Sequence, residues 1–183
     1  MRVIAGSLGG RQLQAPRGRV TRPTSERVRE ALFAALGELH DAAVLDLFAG
    51  SGALGIEALS RGARSAVFVE RDAAASRVLR ANLVALGIEA PRAEVRRGDA
   101  LRVLRSARTS KETYDLIFID PPYSQAHDWG RELSAILPAL LAPAARIVVE
   151  SDRRAPLELP FEIARQRRYG DTSITIHTSN EPT

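Results

Sequence analysis

From residue 43 onward, short apolar runs alternate with stretches of helical periodicity, and this alternation constrains the fold more than any other feature of the chain. Residues 43–48 (AVLDLF) form an apolar run that ends in a glycine-rich turn, with helix continuing over 56–60 until Gly62. A second strand is expected at 66–70, then a helix at 73–86 closed by Gly87, and a third strand at 93–97 with a helix beginning near Ala100. Residues 114–120 (YDLIFID) predict a fourth strand, 132–141 a helix, and 145–150 a fifth strand. Two further strands, 161–167 and 173–178 (SITIHT), have no helix between them and predict an antiparallel hairpin. Strands that are apolar almost without interruption are buried on both faces, which implies a mostly parallel sheet covered by helices on each side. With 183 residues the chain fits one such α/β domain.

The first 23 residues are different. They are rich in Gly, Arg and Pro and predict a short flexible hairpin or extended arm rather than a packed unit. A domain over 24–179 follows, led by a helix over 24–40. Thr24 or Ser25 can cap that helix, and Val28, Ala31, Leu32, Ala35, Leu36 and Leu39 recur at helical spacing. Residues 180–183 are expected to be a frayed tail. The charge is equally uneven. The first 30 residues hold Arg2, Arg11, Arg17, Arg19, Arg22, Arg27 and Arg29 against Glu26 and Glu30, whereas the remainder carries 19 basic and 20 acidic side chains. A basic arm of this kind suits a polyanion; a solvated tail is the plainer alternative.

With no cysteine and three scattered histidines, the sequence excludes disulfides and thiolate metal sites, and no metal is expected. Neither a leader peptide nor a membrane-length apolar run is legible, so a cytoplasmic monomer is the expectation.

Between the first strand and its helix lies Asp46-Leu47-Phe48-Ala49-Gly50-Ser51-Gly52-Ala53-Leu54-Gly55, a G-x-G-x-x-G string. Glycines here let the backbone turn sharply beside a ligand, and Glu70, 20 residues after Gly50, ends the next strand where an acid can accept from both hydroxyls of a ribose. That pattern also describes NAD binding. Two acids favour S-adenosylmethionine: Asp46, beneath the turn, suits the methionine end of that cofactor and would repel a pyrophosphate, and Asp99, ending the third strand, suits an adenine amine. Asp99 can equally cap the helix that follows it.

The sharpest signal is Asp120-Pro121-Pro122-Tyr123 at the end of the fourth strand. Two prolines fix the backbone and remove two N–H donors, leaving a rigid loop with outward carbonyls. An exocyclic base amine is a poor nucleophile because its lone pair is delocalised into the ring. Acceptors at the Asp120 carboxylate and the Pro121 carbonyl can bias the nitrogen toward sp³ character and aim it at a methyl donor, while Tyr123 offers a face on which a base stacks.

A parallel sheet ending in an antiparallel hairpin resembles the seven-stranded class I S-adenosylmethionine-dependent methyltransferases. More closely, the chain resembles the bacterial 16S ribosomal RNA (guanine-N2)-methyltransferases of the RsmD type. The resemblance runs through Arg2–Gly6 (RVIAG), Gly10-Arg11, Arg22-Pro23-Thr24 and 27–33 (RVREALF), then 46–55, Glu70 and 120–123. It implies cofactor contacts from Asp46, Phe48, Ala49, Gly50, Ser51, Gly52, Glu70, Arg71, Asp99, Ala100 and Asp120, and an amine site at Asp120, Pro121, Pro122 and Tyr123. The basic charge points to RNA contacts from the seven N-terminal arginines, and the resemblance implies 16S ribosomal RNA in the small subunit or its precursor as partner. The arm is then expected to bind RNA without supporting the fold. The D-P-P-Y class also acts on adenine N6 and cytosine N4, so a DNA methylase stays open, as does a non-catalytic NAD-binding module. Methylation of pyrimidine C5 is disfavoured, since it calls for a thiolate that this chain lacks.

Overall fold

The computed structural model describes residues 1–16, 25–121 and 126–179, the side chains of 126–128 excepted. Seven strands form one sheet in the order β3-β2-β1-β4-β5-β7-β6. They are β1 (Ala43–Asp46), β2 (Ser65–Glu70), β3 (Ala93–Arg97), β4 (Tyr114–Ile119), β5 (Leu141–Asp152), β6 (Glu162–Tyr169) and β7 (Thr172–Thr178). The first five are parallel, whereas β7 runs antiparallel to both β5 and β6. The expected terminal hairpin and doubly covered sheet are therefore present.

Helices α1 (Glu26–Leu36), α2 (Ala53–Ser60) and α3 (Ala73–Leu86) cover one face, and α4 (Ala100–Thr109) and α5 (Ala126–Ile136) the other. Alternate residues of the central strands divide between the two cores. Val44, Phe68, Phe118 and Val148 meet the α1–α3 side, and Leu45, Val69, Ile117, Ile119 and Val149 the α4–α5 side. Ser25 caps α1 by accepting from the Val28 amide at 3.3 Å, and Gly37, at φ +70°, ends it. The leading helix is thus shorter than the expected 24–40. The helix expected over 132–141 begins earlier, at Ala126, and tightens into a 3-10 turn over Leu137–Leu140 with Pro138 near its start. No helix among the described residues is long and apolar enough to cross a membrane.

The expectation of a loose N-terminal arm is corrected for residues 1–16. Val3 is 0% and Leu13 5% exposed, and both belong to the α1–α3 core. The fully buried Glu57 of α2 accepts from the amides of Ile4 (2.7 Å) and Ala5 (3.1 Å), and Asn82 of α3 both accepts from the Gln14 amide and donates to its carbonyl. Backbone amides left over by a strap that joins no sheet must find side-chain partners, and Glu57 and Asn82 are those partners. The segment is a strap bound to two helices, so it supports the fold. Residues 17–23 lie outside the described residues.

Candidate active site

Strand order reverses between β1 and β4, so their carboxyl ends open a crevice of the kind in which sheets of this class bind ligands. Asp46 ends β1, Glu70 ends β2 and Asp120 follows β4, each at that edge. The neighbouring strand adds a fourth acid that sequence reasoning missed. Ile119 is in register with Val149, so Glu150, only 6% exposed, stands beside Asp120. An acid closing an apolar strand (RIVVE) was the available signal, and it went unread because no motif surrounds it.

The glycine loop is built by carboxylates. After β1 the chain turns through Gly50 (φ +55°) and Gly52 (φ +84°), and the Gly52 amide donates to the Ala49 carbonyl at 2.7 Å. α2 then starts with no side-chain cap. Its third amide, Gly55 N–H, instead donates to Asp46 Oδ2 at 3.0 Å, so a strand carboxylate serves one of the orphan donors of the helix. Glu70 Oε2 accepts from the Gly50 amide at 2.9 Å and Oε1 from the Asp72 amide at 2.7 Å. The glycines divide by role. A Cβ at Gly52 would stand 2.3 Å from Leu79 Cδ1 and one at Gly55 2.3 Å from Phe68 Cε1, so these two permit close packing, whereas a Cβ at Gly50 would enter open space.

Burial dominates the electrostatics. Asp46, 3% exposed, has its carboxyl pushed up to about 7 by desolvation; the Gly55 amide opposes the shift and Glu70 adds to it. Desolvation, then the Glu150 and Asp46 carboxylates, hold Asp120 well above the ordinary carboxylate range. Such a cluster favours a cation and opposes an anion. A pyrophosphate needs free amides at the helix start, but Gly50 and Gly55 already donate to carboxylates. The donor set therefore fits a cationic ligand bearing a ribose, as S-adenosylmethionine is, and not a dinucleotide.

Other expected residues fall as follows. Phe48 and Trp129 of α5 meet edge to face, with centroids 5.0 Å apart, behind the loop. Asp99 caps α4 through the Arg102 amide at 3.1 Å, so the capping alternative holds for Oδ1, and Ala100 beside it is buried. Arg71 is exposed, Ala49 is buried, and Ser51 accepts from Asn82 Nδ2 through its carbonyl at 2.9 Å. Pro121 is buried, whereas Pro122 and Tyr123 lie outside the described residues.

Among the arginines, Arg29 needs correction as an RNA contact. It is 0% exposed and donates from Nη2 to the Arg2 carbonyl at 2.6 Å, with Glu57 and Glu26 as its compensating charges. The helical period that buries Leu32, Phe33 and Leu36 turns this position inward too. Arg2 pairs with Glu26 at 3.0 Å, Arg11 donates to the Ala85 carbonyl at 2.7 Å, and both remain exposed, as does Arg27. Arg17, Arg19 and Arg22 lie outside the described residues.

Comparison with known proteins agrees with this geometry. Residues 1–178 match the family profile described as conserved hypothetical protein 95. Ribosomal RNA small subunit methyltransferase D of Haemophilus influenzae is 36% identical over 182 residues, which is 97% of this chain and 93% of that protein. The solved structure of a hypothetical protein from Thermus thermophilus superposes with a TM-score of 0.82 at 31% identity, covering 97% of this chain and 98% of its own. At 22% identity and a TM-score of 0.63, an RNA methyltransferase from Salinibacter ruber solved with S-adenosyl-L-homocysteine shares the fold over 88% of this chain and 95% of its own. The chain belongs to the conserved hypothetical protein 95 family, that of the RsmD-type methyltransferases.

Proposed function

We propose that the protein methylates the exocyclic N2 amine of a guanine in 16S ribosomal RNA, with S-adenosylmethionine as methyl donor, on a small-subunit assembly particle. The observation that carries the reading is the pair of carboxylates seated on the amides of the glycine loop, beside an Asp-Pro at the end of the adjacent strand. Bound S-adenosylmethionine supplies an electrophilic methyl group on a cationic sulfur. Glu70 meets the ribose hydroxyls with the lone pairs its two amide bonds leave free. Asp46 faces the methionine end, and Asp99 the adenine amine. The Asp120 carboxylate and Pro121 carbonyl accept the two hydrogens of the base amine and orient its nitrogen, and Tyr123 stacks on the base. A positive ligand beside Asp46, Asp120 and Glu150 relieves their mutual repulsion and favours the ionised Asp120 that this role requires.

The relative named a small-subunit ribosomal RNA methyltransferase supports RNA over DNA as substrate. Four measurements test the reading. Calorimetry should show binding of S-adenosylhomocysteine and none of NAD. Nucleoside mass spectrometry of methylated 16S RNA should give N2-methylguanosine. Asp120→Ala should abolish transfer while S-adenosylhomocysteine affinity stays within a few-fold; near-normal turnover would remove Asp120 from the mechanism. An assembly particle should be methylated better than naked RNA or an oligonucleotide, and equal rates on all three would refute the particle.

A further inference from the structure

The arginines at the start of the chain are not its sole basic surface. Strand β6 is the open edge of the sheet, exposed along nearly its whole length, and carries Arg165, Arg167 and Arg168. Arg153 and Arg154, also exposed, occupy the turn just after β5. None of these five arginines joins an ion pair among the described residues. Of the nearby acids, Asp152 Oδ1 accepts from the Arg154 amide, Glu162 lies at the far end of β6 beside Thr178, and Asp171 occupies the β6–β7 turn beside Arg153, on the far side of Tyr169 from the groove arginines.

Register fixes where this charge sits. Arg167 pairs with Ile174, which pairs with Glu150, and Arg168 pairs with Ser173, which pairs with Ser151. Arg167 and Arg168 are therefore level with the carboxyl edge that holds Asp120 and Glu150, roughly 14 Å across three strand spacings from β4, and Arg165 is level with Val148, two residues before Glu150. On the α1 side, Arg165, Arg167 and Tyr169 lean over a groove whose far wall is Ala31 and Ala35 of α1 and whose floor includes Ile174. Arg146, level with Leu116 near the start of β4, donates to the Leu36 carbonyl, so α1 runs from the active edge toward the opposite one, and its exposed Arg27 stands at the active end.

Charges on an edge strand commonly serve only to discourage pairing with another sheet. That role needs cations along the hydrogen-bonding edge; it does not need two of them over an apolar groove with a tyrosine at its end. Unpaired guanidiniums around an apolar floor match a nucleic-acid strand, whose phosphates meet the cations and whose bases seek the apolar and aromatic surface.

We infer that the groove between α1 and β6, rimmed by Arg27, Arg165 and Arg167, is a docking surface for a single-stranded segment of the substrate RNA flanking the target base. The inference rests on the RNA-methylating function proposed above. It assigns the RNA path to the β6 edge as well as to the N-terminal strap, so the strand crosses the active edge between two basic anchors.

The test is the double variant Arg165→Gln, Arg167→Gln, measured for affinity to naked 16S RNA across salt and for methylation kinetics. At about 0.7 per phosphate contact on single strands, losing two contacts should flatten the slope of log affinity against log salt by about 1.4. Over a fourfold rise in salt the variant should then lose roughly 7-fold less affinity than the parent. KM for RNA should rise, with kcat at saturating RNA and S-adenosylhomocysteine affinity unchanged. The corresponding double Lys variant should restore the salt slope. A parent that methylates RNA beside a Gln variant with the same slope and KM overturns this surface while leaving the function standing. A parent that neither binds nor methylates RNA overturns both. A loss confined to the assembled particle, with naked RNA unaffected, assigns the groove to a protein and overturns the RNA assignment.

Discussion

Asp46→Asn should make the apoprotein more stable, and by an amount set by pH. The folded carboxyl titrates near 7 against an ordinary 3.8, so between those values the native state holds a proton that the unfolded chain has released. Stability therefore falls on this account as pH rises through that window, and levels off above 7. For a group 3% exposed, the linkage integral gives a cost of about 2 kcal/mol at pH 5 and about 4 kcal/mol at pH 8. Asparagine is isosteric, keeps an oxygen to accept from the Gly55 amide, and cannot ionise. The variant should thus gain roughly 2–3 kcal/mol more relative to its parent at pH 8 than at pH 5. Urea denaturation of both proteins at the two pH values measures this, and the relief of Asp120, whose carboxyl the Asp46 charge helps to hold up, adds to the gain at pH 8. The same variant should bind S-adenosylhomocysteine more weakly, because its ammonium loses a carboxylate. An equal gain at both pH values, or a loss at pH 8, would refute the claim that Asp46 is ionised against its surroundings.

Glu70→Gln should weaken S-adenosylhomocysteine binding by about 1–3 kcal/mol, the order of a hydrogen bond to a charged group, with turnover recovering at saturating cofactor; calorimetry with unchanged affinity would remove the ribose role. Leu13→Ala, in the strap, should destabilise the protein by about 2–5 kcal/mol in urea denaturation, and a change below about 0.5 kcal/mol would restore the picture of an independent arm. Tyr123→Phe should keep most methylation and Tyr123→Ala lose it; equal damage from both would mean that the hydroxyl matters and stacking does not.

Much of the fold was legible because the strands here carry an unbroken apolar signal, as in LIFI of β4, and their helices end at glycines such as Gly87. Boundaries were poorer where two signals overlap. Leu141 reads as the end of a helix and 142–144 as a connection, yet β5 begins at Leu141, which pairs with Tyr114 of β4 before the register shifts. The site acids Asp46, Glu70 and Asp120 were legible from their places at strand ends. Glu150 was not, because what gives it a role is the register between β4 and β5, a relation that no local pattern encodes. The strap was misread for a similar reason. Its composition is that of a loop, and its partners Glu57 and Asn82 are more than 50 residues distant. Arg29 was assigned by charge alone, although the helical period of its own segment already turned it inward.

The strap has a consequence for the order in which the molecule is made. Ile4 waits for Glu57, 53 residues later, and Gln14 for Asn82, 68 residues later. At about 5–20 residues per second, the strap amides spend roughly 3–14 seconds of synthesis without their native partners. Contacts of this span also carry the loop-closure cost that slows folding. The strap, translated ahead of both helices, closes over α2 and α3 only after both have been made.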